Sequence, residues 1–109
     1  MTRIDEFTAK RSDDLFMRGI VAVEIGDYVT ALNEFRASCY VQRSADALTH
    51  WGWMEHNLGD TDKAIDLCKD AIGIDPDYGN PYNDIGSYLV SLGRTDEAIV
   101  WFGLSLIHI

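Results

Sequence analysis

The chain has 109 residues, 47% of them hydrophobic, and sets 9 Lys plus Arg against 18 Asp plus Glu for a formal net charge of −9. A chain of that length buries roughly 60 to 70% of its unfolded surface, which suits one cooperative domain and is marginal for two. So acidic a surface repels phosphate backbones and anionic headgroups, and neither nucleic acid nor a membrane surface is expected as a partner.

Residues 1–11 read as an N-terminal extension. They carry Arg3, Asp5, Glu6, Lys10 and Arg11, a pattern with no apolar core of the secretory type. No later run approaches the roughly 20 apolar residues of a membrane span. Cys39 and Cys68 form no CxxC pair, and a small chain stapled by disulfides normally carries more cysteines. A reducing cytoplasm is the expected location.

From residue 12 onward the chain matches itself. Aligned on Gly26, Gly59 and Gly93, the offsets are 33 and then 34. The same offsets superimpose Leu15, Leu48 and Tyr82; Gly19, Gly52 and Gly86; Ala31, Ala64 and Ala98; and Phe35, Cys68 and Phe102. Internal repetition at this period is the signature of stacked supersecondary units. The units run over 12–44, 45–78 and 79–109, together forming one domain.

Each unit reads as two helices. In the middle one, Leu48, Trp51, Gly52 and Glu55 share a helical face. Gly59 closes that helix in left-handed geometry. Thr61 and Asp62 are read as the cap and acidic first turn of the second helix, whose inner face is Ala64, Ile65, Cys68, Ala71 and Ile72. Asp75-Pro76 ends it. Asn80-Pro81 opens the third unit as an N-cap followed by proline in the first turn. Glycine inside a helix costs about 1 kcal/mol against alanine. Its recurrence as Gly19, Gly52 and Gly86, opposite Ala31, Ala64 and Ala98, predicts a close approach of the two helices in every unit.

These residues closely resemble the tetratricopeptide repeat family. Its pattern is matched by Leu48, Trp51-Gly52, Gly59, Ala64, Cys68 and Pro76, and again by Tyr82, Ile85-Gly86, Gly93, Ala98 and Phe102. Cys68 departs from it, a small residue in an aromatic slot, and Arg18 precedes Gly19 where an apolar residue is usual. The resemblance implies an all-α fold, a right-handed α-solenoid of three stacked antiparallel helix-turn-helix repeats.

The third unit ends differently from the second. After Phe102 the chain reads Gly103-Leu104-Ser105-Leu106-Ile107-His108-Ile109, without the charged residues that follow Cys68. Residues 104–109 are similar to the translation of a transposon mosaic-end adapter used in sequencing libraries. On that reading the segment is non-native, the third repeat is incomplete and the native chain is a longer one. The alternative is an unusual apolar terminus. An uncapped end of this kind is expected to self-associate.

In the family the first helices line a concave surface, which implies a partner-binding groove formed by Phe16, Met17, Ile20, Thr49, His50, Trp53, Asn57, Asn83, Asp84 and Ser87. Glu24 and Ser91 extend the same stripe. Trp53 is the expected anchor, a large amphipathic ring on an accessible groove. Some members of the family grip a peptide carboxylate with basic and amide side chains. The corresponding places here are Phe16, Ile20, His50, Asn80 and Asp84, none of them Lys or Arg. A basic or amphipathic segment is the more compatible ligand.

Little in the chain suggests reaction chemistry. His50 and His56 stand about 120° apart around a helix, unlike a chelating i, i+4 pair, and no metal is expected. Neither a phosphate-binding loop nor a nucleophile elbow is present. No cofactor and no catalytic residue are assigned. The expected function is a protein-interaction scaffold that binds a partner peptide or helix in its groove. The alternatives are a regulatory or docking segment of a longer enzyme and a self-assembling structural repeat.

Overall fold

The computed structural model describes residues 3–108. It consists of six helices: α1 (Arg3–Glu24), α2 (Tyr28–Val41), α3 (Ala45–Asn57), α4 (Thr61–Ile74), α5 (Asn80–Ser91) and α6 (Thr95–Ile107). Met1 and Thr2 of the N-terminal stretch, and Ile109 of the terminal hexapeptide, lie outside the described residues. α1 runs unbroken from Arg3 across residues 11 and 12.

Each helix packs on the next in chain order, and α3 also meets α5 directly. The result is an all-α solenoid of three stacked helix pairs, 47 × 31 × 19 Å in extent. The joints within the pairs share one device. Gly26, Gly59 and Gly93 adopt φ of 80°, 105° and 76°, a region that side chains with a Cβ rarely enter. The following residue, Asp27, Asp60 or Arg94, then donates its N–H to the carbonyl five residues back, at 2.8 to 2.9 Å.

The capping residues differ from expectation by one position. Asp60, not Thr61, caps α4: its carboxylate accepts the Lys63 N–H at 3.1 Å, as Asp27 accepts that of Thr30 at the start of α2. The Gly-Asp doublet thus closes one helix with its backbone and opens the next with its side chain. Asn80 is likewise already inside α5, whose cap is Gly79 without a side-chain hydrogen bond. The Asn80 amide turns outward and donates to the Tyr78 hydroxyl oxygen at 2.8 Å.

Three apolar clusters follow the repeats. Phe35, Ala31, Ala22 and Met54 centre the first; Leu48, Ala71, Leu67 and Cys39 the second; Ile85, Cys68, Ala64 and Ala98 the third. Each draws side chains from adjacent pairs, as expected of units that cannot bury their apolar faces alone. A polar contact supplements them where Ser12 and Ser38, both buried, join α1 to α2. The Ser38 Oγ donates to the Ser12 carbonyl at 2.8 Å and the Ser12 Oγ to the Ser38 carbonyl at 3.1 Å.

The helical glycines are explained by what faces them. A Cβ on Gly86 would stand 2.5 Å from the Phe102 ring, and one on Gly19 closer still to the Phe35 ring. In the middle pair, where Cys68 replaces the aromatic, a Cβ on Gly52 would meet the Ala64 carbonyl oxygen at 3.1 Å instead.

α6 continues through the apolar terminal residues to Ile107. Ile99, Val100, Leu106 and Ile107 are each more than 60% exposed along it. The corresponding Ile65 of α4 is buried against α5, so this outward face of α6 is the one that covers the next helix elsewhere in the stack. His108 lies flat on Tyr82, with ring centroids 4.4 Å apart and planes 8° from parallel.

The steric account of the glycines predicts opposite signs for two substitutions in the same helix pair. Gly86→Ala is expected to lose about 1 to 2 kcal/mol, because overpacking against Phe102 exceeds the gain in helix propensity. Gly103→Ala, where an added Cβ meets nothing within 4 Å, is expected to gain up to about 1 kcal/mol. Urea denaturation of the two variants separates the cases, and equal effects would refute the close-approach argument.

Candidate functional site

A cavity of about 200 Å³ opens between the second and third helix pairs, lined by Thr49, His50 and Trp53 of α3, Tyr78 and Asn80 at the entry to α5, and Asp84 of α5. Helical spacing explains the α3 wall, since residues 49, 50 and 53 lie opposite or beside the packing face that carries Leu48 and Gly52. Thr49 is only 4% exposed, and its Oγ1 donates to the Ala45 carbonyl at 2.7 Å. The wall is thereby fixed, while Trp53 is 41% exposed at the rim.

His50 is held on several sides. Its ring meets Phe16 edge-on at 4.9 Å, Phe35 at 5.3 Å and Trp53 at 6.4 Å. Its Nδ1 lies 2.8 Å from the Asp46 carbonyl oxygen and 3.2 Å from the Asp46 carboxylate. Across the cavity mouth the Tyr78 hydroxyl donates to the same carboxylate at 3.1 Å, and so Asn80, Tyr78, Asp46 and His50 form one connected chain. Asp84 stands outside it. Among the described residues its half-buried carboxylate accepts no hydrogen bond and forms no ion pair, although it feels the charge of His50.

These positions set the electrostatics. Burial pushes the Asp84 carboxyl up to about 6, against the opposing attraction of His50. For His50, burial alone acts downward, but the hydrogen bonds to Asp46 and the charges of Asp46 and Asp84 outweigh it and hold the imidazole above its ordinary value. The hydrogen bond from His50 draws Asp46 below the usual carboxylate range, burial notwithstanding. Burial raises the Cys39 thiol to about 11 and Cys68 further. Both are free, buried thiols of low nucleophilicity.

Of the residues expected in the groove, Thr49, His50, Trp53 and Asp84 converge on the cavity, and Phe16 joins them through its contact with His50. Ile20 is half-buried in the first cluster. Met17 lies apart, beside a depression with Asp14, Arg18 and Val21. Asn57 is exposed one turn beyond Trp53, whose carbonyl oxygen it binds at 2.8 Å. Asn83 and Ser87 are exposed on α5, as are Glu24 on α1 and Ser91 at the end of α5. The groove assignment omitted Asp46 and Tyr78. A helical-stripe argument selects one face of each first helix and cannot reach a turn residue such as Tyr78.

The tetratricopeptide repeat family model matches residues 45–78, the span of α3, α4 and the turn that follows. The chain belongs to the tetratricopeptide repeat family. It is similar to the small glutamine-rich tetratricopeptide repeat-containing protein 2 of Saccharomyces cerevisiae, with 28% identity over 96 residues, and to the protein of the same name from Mycosarcoma maydis, with 31% over 103 residues. Each comparison covers 87% of this chain but only 28% and 27% of the relative, so the chain spans little more than a quarter of their length. Among solved structures, the TPR domain of Arabidopsis OM64 superposes with a TM-score of 0.88 at 20% identity, covering 93% of this chain and 84% of that one. The second TPR of Spaghetti bound to the HSP90 peptide SRMEEVD gives a TM-score of 0.86 at 19% identity, with coverage of 93% and 94%. These structures share the fold of this repeat protein.

A larger depression of about 730 Å³ lies between α2 and α4, on the far side of the pairs, with Cys39 and Leu67 at its floor and Tyr40, Arg43, Lys63 and Asp66 around it. Its charges are already matched in part: Arg43 lies 3.7 Å from Asp70, and the Lys63 ammonium 5.5 Å from the Trp51 ring. Asp62 and Asp66, also at its edge, are exposed to solvent, whereas the unpartnered carboxylate of the smaller cavity, Asp84, is half-buried.

Asp84 connects the site to stability. Its raised pKa means that the ionised carboxylate burdens the fold above about pH 6, and that the burden disappears below the ordinary value of 3.8. Asp84→Asn is therefore expected to stabilise the chain by on the order of 2 kcal/mol near pH 8, with the gain shrinking toward zero by about pH 4. His50 contributes in a different sense: its raised pKa adds stability below about pH 6.5 that fades as pH rises through the folded value. Chemical denaturation of wild type and Asp84→Asn across this range measures the difference, and a pH-independent gap would refute the assignment.

Proposed function

We propose that this repeat protein is a non-catalytic interaction module of the cytoplasm that holds a peptide or helix of a partner protein against its first helices, with the His50–Trp53 region as the centre of grip. The observation that carries this reading is the cavity itself. Its wall is a fixed Thr49, its rim an exposed Trp53, and its remaining sides His50, Tyr78 and Asp84, all supplied by rigid helices or their immediate junctions. Such preorganisation limits the ordering entropy lost when a flexible segment binds.

The Spaghetti repeat domain supports a peptide ligand, because that neighbouring structure holds one. It does not support the same ligand. SRMEEVD is an acidic peptide, and this chain places Phe16, Ile20, His50, Asn80 and Asp84 where a carboxylate-gripping member has basic and amide groups. With a net charge of −9, the present surface favours a segment of the opposite character. The cytoplasmic reading rests on the two free, buried cysteines. The exposed face of α6 at Ile99, Val100, Leu106 and Ile107 is the place where self-association of this chain would occur.

The groove is tested by replacing both His50 and Trp53 with alanine. Capture of the partner is expected to weaken by at least about tenfold, as for loss of a central aromatic anchor. Circular dichroism is expected to show the helical content retained, since Trp53 is exposed and His50 lies at the edge of the first cluster, touching Phe16 and Phe35 without belonging to it. Undiminished capture by a folded double variant would place the binding surface elsewhere.

A further inference from the structure

Among the described residues, Asp84 is the ionisable group of the cavity that the fold leaves without a hydrogen bond. Asp46 accepts from His50 and Tyr78, and Tyr78 accepts from Asn80. Thr49 is satisfied by the Ala45 carbonyl. Asp84 receives no hydrogen bond from the described residues, yet it is half-buried and faces the same space as an exposed indole. A carboxylate removed from water without a compensating donor is unfavourable, and a ligand that brings the donor recovers that loss on binding.

The size and lining narrow the ligand. About 200 Å³ corresponds to roughly seven waters of bulk volume, which accommodates one long side chain and not a second helix. Trp53 and Tyr78 offer aromatic surface for an apolar stem or a cationic head, and attraction of a cation to an indole face is worth about 0.5 to 2 kcal/mol. Asp84 supplies negative charge from α5, while Asp46 of α3 lies beside the lining and is bonded to His50 and Tyr78. His50 can compete as an internal cation, but its Nδ1 is committed to Asp46, which leaves Asp84 for an incoming group.

We propose that this cavity is a specificity pocket for one lysine or arginine side chain of the bound segment, with Asp84 as its counter-ion and Trp53 as its aromatic wall. The inference rests on the groove reading above and adds the chemical class of the residue recognised. The groups that interact with Asp84 are His50 on α3, Cys68 on α4, Tyr78 in the turn after it, and Tyr88 on α5, with Asp46 of α3 one step removed through its bonds to His50 and Tyr78. Acidification protonates Asp84 and charges His50, and both changes oppose a cationic guest. Recognition is accordingly strongest on the alkaline side of neutrality and falls below about pH 6.

Random dodecapeptide libraries, each with one residue fixed at a central position, can be captured on immobilised full-length chain at about pH 8. Wild type is expected to enrich libraries with fixed Lys or Arg. Asp84→Asn is expected to lose that enrichment about tenfold, as for removal of one partner of a desolvated charge pair, while remaining folded and at least as stable as wild type. In parallel, titration with Nα-acetyl-arginine amide, followed by NMR, is expected to shift the Trp53 indole and Thr49 amide signals in wild type and not in Asp84→Asn. Capture that depends on His50 and Trp53 but shows no preference for Lys or Arg, or a preference that Asp84→Asn leaves intact, overturns the pocket assignment and leaves the groove standing. Capture that ignores His50 and Trp53, or no capture at all, overturns both.

Discussion

Every unit of this solenoid depends on how closely its two helices approach. In the first and third pairs the approach is made by a phenyl ring laid onto a glycine, Phe35 on Gly19 and Phe102 on Gly86, at separations that leave no room for a methyl group. Glycine weakens each first helix in isolation, so the pairs are stabilised by packing in spite of local propensity. The turn that brings the helices together has the same character. A glycine in left-handed geometry reverses the chain, and the residue after it returns a backbone hydrogen bond.

The middle pair keeps the glycine and discards the ring. Phe35 packs against Phe16 of its own unit and His50 of the next, with centroids 5.4 and 5.3 Å away. Shifted by one repeat, these two neighbours become Thr49 and Asp84, which both line the cavity. A phenylalanine in place of Cys68 would direct its ring toward that space, whereas the cysteine stays wholly buried in the third cluster. The departure from the family pattern and the existence of the cavity are thus one fact seen twice. The thiol matters for the volume it leaves free, and its raised pKa marks a packed, inert group.

Much of this architecture was legible in the sequence because repetition multiplies weak signals. One glycine in a helix says little, but three at equal register opposite three alanines point to a steric requirement, and the Phe35 and Phe102 rings and the Ala64 carbonyl impose it. Residue type alone places the helix caps one residue too late. Thr61 and Asn80 are good capping residues by type, and only the hydrogen bonds show that Asp60 and Gly79 occupy the positions. The site was half legible. Thr49, His50, Trp53 and Asp84 follow from the helical stripe, whereas Tyr78 sits in a turn and Asp46 enters through its hydrogen bonds to Tyr78 and His50. Met17 falls on the stripe by spacing but faces a different depression. One-dimensional periodicity cannot report how far neighbouring first helices splay.

Asp84 shows why packing alone is an insufficient account of the third pair. At the equivalent place one repeat earlier stands His50, which is surrounded by aromatic rings and anchored to Asp46. An asparagine or a serine at 84 would fit the same half-buried site without the penalty of a desolvated charge. The carboxylate instead remains ionised at neutral pH with no hydrogen-bond donor beside it among the described residues, at a cost in stability that its raised pKa records. Costs of that kind concentrate where proteins bind or react, because a group left unsatisfied by the fold is available to a ligand. The same side chain that weakens the free chain thereby sets the sign of charge that the groove can accept.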